Sequence, residues 1–219
     1  SGMLDEVERF KREGWLRNVT TEGDGRTPAV LSKNLQVTRL SQKSALFRAL
    51  PFQDQVMGAV RQLIGEPLVL YFDQIFLKPG RTGVGTKWHQ DNAYFKVPDP
   101  SKGVGMWVAL HDASVANGTL RVIPRSHTRA AVHQRDLESD HHIFCSVAED
   151  EAVDIELEAG GVLFFNFMTA HATGPNQTDR ERAGLALHFL RTEAVPKDDP
   201  HFAPHCIQLP ASRDGAGLQ

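Results

Sequence analysis

Cysteine is nearly absent from this sequence, which has only Cys145 and Cys206 among its 219 residues. Two cysteines build no disulfide framework and match no zinc-ligand spacing, so the disulfide-stapled and zinc-finger classes are excluded. The pattern leaves open one disulfide between them but favours two free thiols in a reducing cytosol.

The sequence also lacks a basic excess, a long apolar run and a leader pattern. Its net charge is −3, which argues against electrostatic binding of nucleic acid. No apolar run reaches membrane-spanning length, and the first 30 residues are polar and charged, unlike a signal peptide. We therefore expect a soluble, cytoplasmic protein without nucleic-acid or membrane partners. Nothing in the pattern indicates an oligomeric state.

The chain has enough apolar residues for one folded core. Hydrophobic residues make up 41% of 219 positions, which fits a single domain over residues 1–219. We divide it into an N-terminal helical section (3–66), a β-rich core (67–192) that contains an insertion (128–150), and a C-terminal tail (193–219). The insertion has no steady period, and such a segment at a barrel mouth is usually functional.

Two segments of the N-terminal section have helical periodicity. Residues 4–11 alternate apolar and charged positions as an amphipathic helix does, and Gly14 follows as a stop signal. Residues 51–64 carry one apolar stripe, with Pro51 suited to the first helical position and Gly65 at the end. We therefore predict helices over 4–11 and 51–64.

After Pro67 the period shortens to that of β-strands. Short segments rich in Val, Ile, Phe and Leu are separated by turn signals such as Asn117-Gly118 and Gly160-Gly161. The predicted strands are 68–78, 86–94, 104–110, 119–123, 153–157, 162–167 and 185–191. This pattern predicts a mainly β sandwich or jelly roll with flanking α-helices packed on one side.

His89 and Asp91 are two residues apart within the predicted strand 86–94. On an extended strand both side chains would leave the same face of the sheet. An imidazole and a carboxylate placed together supply two of the three donors of the 2-His-1-carboxylate triad that holds Fe(II). The His-x-Asp spacing alone is a weak signal, because it occurs by chance in chains of this composition.

A second segment could complete the site. The apolar strand 162–167 leads into a polar cluster that contains His171, and Arg182 follows at the start of the next strand. If those two strands are antiparallel neighbours, His171 and Arg182 project into one cavity, with residues 174–177 as the connecting turn. A guanidinium at that position would suit a carboxylate ligand.

The sequence resembles the phytanoyl-CoA dioxygenase family of Fe(II)- and 2-oxoglutarate-dependent oxygenases. Four motifs occur in the family's order: Asp-Gln-Ile-Phe-Leu-Lys-Pro (73–79), Trp-His-Gln-Asp-Asn-Ala-Tyr-Phe (88–95), Asn-Gly-Thr-Leu-Arg-Val-Ile-Pro-Arg-Ser-His (117–127), and a His-x-Thr-Gly-Pro-Asn turn (171–176) before Arg182. The resemblance implies a double-stranded β-helix of the cupin-like jelly-roll type. It also implies Fe(II) as cofactor, with 2-oxoglutarate and O₂ as cosubstrates.

The resemblance assigns roles to individual residues. It implies iron ligation by His89, Asp91 and His171, and binding of the distal 2-oxoglutarate carboxylate by Arg182 and Thr173. Three further positions resemble residues that line the cosubstrate or metal pocket: Lys78, Gln90 and Trp107. Two residues after the ligand pair are candidate substrate contacts: Asn92 and Tyr94.

One motif departs from the family pattern. The usual Pro-Gly-Ser-His occurs here with Arg125 in place of glycine, which puts the local turn in doubt because arginine lacks glycine's freedom at positive φ. The remaining histidines carry no partner pattern. We interpret His127 and His188 as packing or pocket residues, and the others as surface or satisfied histidines: His111, His133, His141, His142, His201 and His205.

The implied reaction is hydroxylation of an unactivated C–H bond in a small metabolite, with release of succinate and CO₂. The presence of Asp91 favours hydroxylation over halogenation, since related halogenases lack this carboxylate. Two other classes stay open. A cupin-like isomerase or oxo-acid-independent dioxygenase would keep the triad without needing Arg182 and Thr173, and a non-enzymatic jelly-roll binding domain would have lost the triad.

Overall fold

The computed structural model describes residues 2–212, so Ser1 and positions 213–219 of the predicted tail lie outside it. The helices are α1 (Gly2–Arg12), α2 (Ala45–Ala49), α3 (Asp54–Ile64) and α4 (Asn92–Phe95). The strands are β1 (Arg17–Asn18), β2 (Leu35–Thr38), β3 (Leu68–Lys78), β4 (Thr86–His89), β5 (Gly103–Ala109), β6 (Leu120–Val122), β7 (Gln134–Arg135), β8 (Ile143–Phe144), β9 (Val153–Ile155), β10 (Val162–Asn166), β11 (His171–Thr173), β12 (Arg182–Arg191) and β13 (Ile207–Gln208).

The strands form two antiparallel sheets and one short hairpin. The large sheet has the order β1-β2-β3-β12-β5-β10, with β13 on β3, and the small sheet has the order β4-β11-β6-β9. Side chains from both sheets meet between them, where Trp107 and Phe165 of the large sheet join one cluster with Leu120 of the small sheet. The predicted jelly roll with flanking helices is therefore confirmed.

The outer face of the large sheet is covered by helices. Val7 and Phe10 of α1 and Val60 of α3 belong to one buried cluster with Leu185 and Leu187 of β12. Each such side chain stabilises the fold by about 1.5–3 kcal/mol when fully removed from water. Because side chains alternate along a strand, the intervening β12 residues point into the interior between the sheets. None of the helices within residues 2–212 has the length and apolar character needed to cross a membrane.

The predicted helix 51–64 starts later than expected. Pro51 lies in a separate 3-10 turn over Leu50–Phe52. Gln53 then has an extended backbone with φ −66° and ψ 135°, and α3 begins at Asp54. The start was wrong because proline is equally suited to the beginning of either kind of helix. The helix predicted over 4–11 is confirmed by α1, with Gly14 just beyond it at φ 71°.

The predicted strand 86–94 was wrong in its second half. β4 ends at His89, and Asp91 has a helical backbone with φ −57° and ψ −35°. The turn is closed by Tyr94 N–H and Phe95 N–H, which both donate to the Asp91 carbonyl at 2.9 and 3.1 Å. His89 and Asp91 therefore do not share a strand face; the turn, and not the two-residue strand period, brings the carboxylate round to the imidazole.

The predicted pairing around His171 was also wrong. β10 and β12 are not neighbours, because β5 lies between them in the large sheet. His171 instead begins β11 in the small sheet, and the segment 174–177 crosses from that sheet to β12 in the large one. His171 and Arg182 thus belong to different sheets.

Two further features concern the insertion and its preceding turn. Residues 128–150 contain the β7–β8 hairpin, and Ser139 forms a bridge to Thr20 of the N-terminal section. Arg125 adopts φ 63° and ψ 3°, so the left-handed turn is formed in spite of the missing glycine.

Cys145 and Cys206 are both free, as the favoured interpretation predicted.

Candidate active site

Three potential metal ligands converge between the sheets. His89 at the end of β4 pairs directly with His171 at the start of β11, and their rings are 4.2 Å apart. Asp91 Oδ1 lies 3.8 Å from His89 Nε2 and 3.6 Å from His171 Nε2. One donor atom from each of the three buried residues lies within 4.8 Å of the others. This donor set, two imidazoles and one carboxylate, suits Fe(II).

Backbone hydrogen bonds select the histidine tautomers. His89 Nδ1 lies 2.8 Å from the Lys87 carbonyl, and His171 Nδ1 lies 2.9 Å from the Thr169 carbonyl. A carbonyl only accepts, so each Nδ1 carries the proton and each Nε2 presents a lone pair towards Asp91. Burial, reinforced by the neighbouring His171, lowers the pKa of His89 to about 3, which keeps its ring neutral and ready for a metal.

Asp91 is held by a third histidine. Its second oxygen, Oδ2, lies 3.2 Å from Nε2 of His188 on the inner face of β12, and no group in residues 2–212 donates a well-aligned hydrogen bond to it. Burial alone would raise the pKa of Asp91, but the surrounding histidines outweigh it and lower this pKa below its ordinary value. A buried carboxylate oxygen that faces two imidazole Nε2 atoms at 3.6 and 3.8 Å, too far for hydrogen bonds, is a site that a divalent cation would complete.

Two cations are buried next to this site. Lys78 and Arg182 pair directly across β3 and β12, each 1% exposed. Both donate to the Gly118 carbonyl, and Lys78 also donates to the Gly174 carbonyl. Burial, and then the charge of Arg182, lowers the pKa of Lys78 well below its usual value, and burial lowers that of Arg182 to about 10.

No carboxylate in residues 2–212 lies within ion-pair distance of either cation. Arg182 Nε is also buried without any hydrogen-bond partner in that range. Unpaired buried charges of one sign are costly, by several kcal/mol each. The arrangement is therefore the one expected of a binding site for an anion.

Thr173 and Trp107 border the cation pair. Thr173 precedes Gly174, whose carbonyl accepts from Lys78, and its Oγ1 accepts from Thr86 N–H at 3.0 Å, which leaves its hydroxyl proton free to donate. The Trp107 ring centre lies 5.7 Å from the guanidinium carbon of Arg182. The structure thus places both residues beside the two buried cations, and their predicted roles toward a cosubstrate stay predictions.

Gln90 and Asn92 point elsewhere, contrary to the predicted pocket roles. The Gln90 amide donates to the Arg129 and Met168 carbonyls at 2.7 and 2.6 Å and accepts from Ala131 N–H at 2.8 Å. Asn92 Oδ1 accepts from Val97 N–H at 3.0 Å and so closes the turn after α4. Both side chains hold the backbone around the ligands, because their polar atoms are already used by neighbouring backbone groups.

A cavity of about 120 Å³ lies beside His89 and Asp91. Tyr94, a predicted substrate contact, lines it, and its ring lies edge-on to His89 at 5.6 Å. Four polar residues to which we assigned no pocket role also line it: Gln36, Gln74, His141 and His142. The inner-face alternation of β3 could have indicated Gln74. His142 was wrongly interpreted as a surface or satisfied histidine, since it is buried against this cavity.

Two other histidines are satisfied, as predicted. His111 Nδ1 accepts from Ala183 N–H at 3.1 Å, and His133 Nε2 accepts from Gln90 N–H at 3.0 Å. His188, which the sequence left between packing and pocket roles, belongs to the site through its contact with Asp91.

The fold and the site define a jelly-roll protein with a buried cluster of two histidines and one aspartate and a neighbouring pair of buried basic residues. The family model described as phytanoyl-CoA dioxygenase (PhyH) matches residues 2–184. The chain therefore belongs to the phytanoyl-CoA dioxygenase family, and the family predicted from the four motifs is confirmed.

The chain is similar to several known proteins. A phytanoyl-CoA dioxygenase of Arabidopsis thaliana is 28% identical over 178 residues, 78% of this chain and 62% of that protein. An ectoine dioxygenase of Halomonas elongata is 27% identical over 78% of this chain and 60% of its own length. The crystal structure of EvdO2 from Micromonospora carbonacea var. aurantiaca, complexed with 2-oxoglutarate, has a TM-score of 0.63 and 25% identity over 80% of this chain and 72% of that one. The chain thus spans about three fifths of the length of these curated relatives.

Proposed function

We propose that the chain is a non-haem Fe(II)- and 2-oxoglutarate-dependent dioxygenase that hydroxylates an unactivated C–H bond of a small metabolite. The observation that carries this proposal is the pair of buried cations, Lys78 and Arg182, beside the triad of His89, Asp91 and His171. A metal site alone fits many reactions, whereas a metal site with a buried, uncompensated cation pair fits a dicarboxylate cosubstrate. The names of the relatives, which include dioxygenases, support the same class.

In this proposal each group of residues has one task. Nε2 of His89, Nε2 of His171 and Oδ1 of Asp91 hold the iron, which when bound supplies the oxidative chemistry with O₂ and 2-oxoglutarate. Arg182 and Lys78 bind the distal carboxylate of 2-oxoglutarate, and the Thr173 hydroxyl donates to it. Trp107 packs beside the guanidinium and keeps water from that end of the site.

The test is an anaerobic titration of the apo protein with Fe(II) and then 2-oxoglutarate, followed through the weak visible charge-transfer band of an iron–oxo-acid chelate. We expect the band in the wild type. Arg182→Ala should need at least tenfold more 2-oxoglutarate, because it removes the bidentate contact to the carboxylate. Arg180→Ala is the matched control, since Arg180 is exposed on the same connection and should leave the titration unchanged.

The outcomes separate the classes. Iron binding without a band would favour the cupin-like alternative, an isomerase or an oxo-acid-independent dioxygenase. Failure to bind iron would contradict the triad assignment itself. A band that is equally strong in Arg182→Ala would contradict the role of the buried cation pair.

A further inference from the structure

The cavity beside the triad is small. Its volume is about 120 Å³, and it is bounded by His89 and Asp91 on one side. A dry protein cavity of about 150 Å³ holds one benzene molecule. The group presented to the proposed iron centre is therefore no larger than one small ring, and the remainder of any larger substrate has to lie outside.

The wall of the cavity formed by β2 and β3 presents an amide. Phe72, Gln74 and Phe76 follow one another on the inner face of β3, and Gln36 joins them from β2. Gln36 Nε2 donates to Gln74 Oε1 at 2.8 Å, which fixes the orientation of the Gln74 amide. No described residue accepts a hydrogen bond from Gln74 Nε2, so this donor is available to a ligand.

His142 supplies a second polar group from the insertion. It is 5% exposed, and its ring lies edge-on to Phe76 at 5.7 Å. Its backbone carbonyl accepts from Asp136 N–H at 2.9 Å and from Arg135 Nη1 at 2.7 Å, which holds the segment in place. Neither ring nitrogen has a hydrogen-bond partner within residues 2–212. Because His142 lines the cavity, these free ring nitrogens are available to a ligand there.

The cavity offers no counterion for a charged substrate group. Within residues 2–212, Asp91, a proposed metal ligand, is the only carboxylate that lines it, and no lysine or arginine does so. The buried cations Lys78 and Arg182 are not among its lining residues, and the proposed function assigns them to the cosubstrate. A carboxylate or phosphate placed here would therefore lose its water without gaining a cationic side chain.

From these contacts we propose the substrate class: an uncharged, single-ring-sized group that carries a carbonyl or hydroxyl oxygen. Gln74 Nε2 and the His142 ring bond to that oxygen, while Phe72 and Phe76 pack against the ring. The identification of this group as part of a substrate rests on the proposed function. The binding of such a group can be measured independently of iron.

The experiment is saturation-transfer NMR on the full chain with three one-ring probes, measured with and without Zn(II) and 2-oxoglutarate. The probes are 2-piperidone (neutral), piperidine (cationic) and cyclopentanecarboxylate (anionic). Of the three probes, we expect only 2-piperidone to bind the wild type. Gln74→Glu should lower its affinity at least fivefold and create binding of piperidine, because the added carboxylate replaces the amide donor. Gln62→Glu, on the exposed surface of α3, is the matched control.

His142→Phe gives a second test, since it keeps an aromatic side chain but has no ring nitrogen atom. It should also weaken 2-piperidone binding at least threefold. The proposal is overturned if 2-piperidone does not bind, if cyclopentanecarboxylate binds equally well, or if both variants bind 2-piperidone as the wild type does. Selective 2-piperidone binding together with a failed iron titration would support the cavity inference and contradict the proposed oxygenase.

Discussion

At the scale of single residues, the carboxylate of Asp91 is shared between two tasks. Oδ1 faces the Nε2 atoms of His89 and His171, while Oδ2 faces His188 at 3.2 Å. His188 is itself fixed among aromatic rings, with Phe95 at 5.0 Å and Phe72 at 5.8 Å between ring centres. Outer contacts of this kind orient metal ligands and commonly contribute tenfold or more to metal affinity. His188 is thus a positioning residue for the proposed iron site.

We expect His188→Phe to weaken Fe(II) binding about 10- to 100-fold, because Asp91 Oδ2 loses the contact that holds the carboxylate in a one-oxygen orientation. Anaerobic Fe(II) titration would measure it, with thermal unfolding as a check of folding. His188→Gln should restore part of the affinity, since the amide can donate to the same oxygen. His127→Phe, at an exposed position, should have no effect. Unchanged affinity in His188→Phe would contradict the positioning role.

Asp91 gives the more severe test at this scale. Asp91→Ala should abolish substrate hydroxylation, because it removes the anionic ligand and leaves two neutral imidazoles. Succinate release in the presence of substrate is the measurement. Turnover at the wild-type rate would refute the assignment of Asp91 as a ligand.

At the scale of elements, β12 combines both ends of the site. Its inner face carries Arg182, Gly184, Ala186 and His188 in sequence, two polar residues with two small ones between them. Gly184 is required by packing: a Cβ there would lie 2.6 Å from Nε1 of Trp107. Trp107 in turn lies against the Arg182 guanidinium. The small residues therefore leave space for the tryptophan that borders the proposed cosubstrate.

We expect Gly184→Ala to lower the free energy of unfolding by about 1–3 kcal/mol through overpacking, and to raise the 2-oxoglutarate concentration needed for the chelate band. Urea denaturation and the anaerobic titration measure the two effects. Gly58→Ala is the matched control, because no atom lies within 4 Å of the added methyl group. In the α3 helix it should stabilise by up to about 1 kcal/mol without changing the titration. Equal behaviour of the two variants would contradict the packing argument.

At the scale of the whole molecule, burial of several histidines links stability to pH. Burial lowers the pKa of His89 to about 3 and that of His142 well below its ordinary value. Between about pH 6.5 and the lowered values, the unfolded chain binds protons that the folded chain does not. Stability is therefore greatest above about pH 6.5 and declines as the pH falls through this window.

For the metal-free protein we expect the free energy of unfolding to fall by roughly 1 kcal/mol per pH unit for each such histidine below about pH 6.5. Urea unfolding at successive pH values between neutrality and mild acidity would show it. His142→Phe removes one of these groups and should flatten the slope. Burial raises the pKa of the Asp73 carboxyl, so this group makes the free energy of unfolding increase as the pH falls and opposes the histidines. Comparison with His142→Phe separates the histidine contribution from that of Asp73. A slope that the variant does not change would contradict the assignment to His142.

Local patterns in the sequence determined much of the secondary structure and the family of this protein. β3 spans Leu68–Lys78 as its apolar period predicts, α1 forms where the amphipathic pattern places it, and the motifs identify the family. The sequence also indicated the chemical types of the candidate metal donors, two imidazoles and one carboxylate, and the candidate arginine. Helical and strand periods, turn residues and donor chemistry depend on neighbours a few positions apart, so a sequence expresses them directly.

Other features were decided only by the tertiary structure. They include the turn that brings Asp91 to His89, the crossing that puts His171 and Arg182 in different sheets, and the meeting of Gln74 with His142 at one cavity. A two-residue period states that alternate side chains share a face, but it does not state which faces will meet. That choice depends on the pairing of distant strands, where β5 separates β10 from β12, and this long-range register has no local signature in the chain.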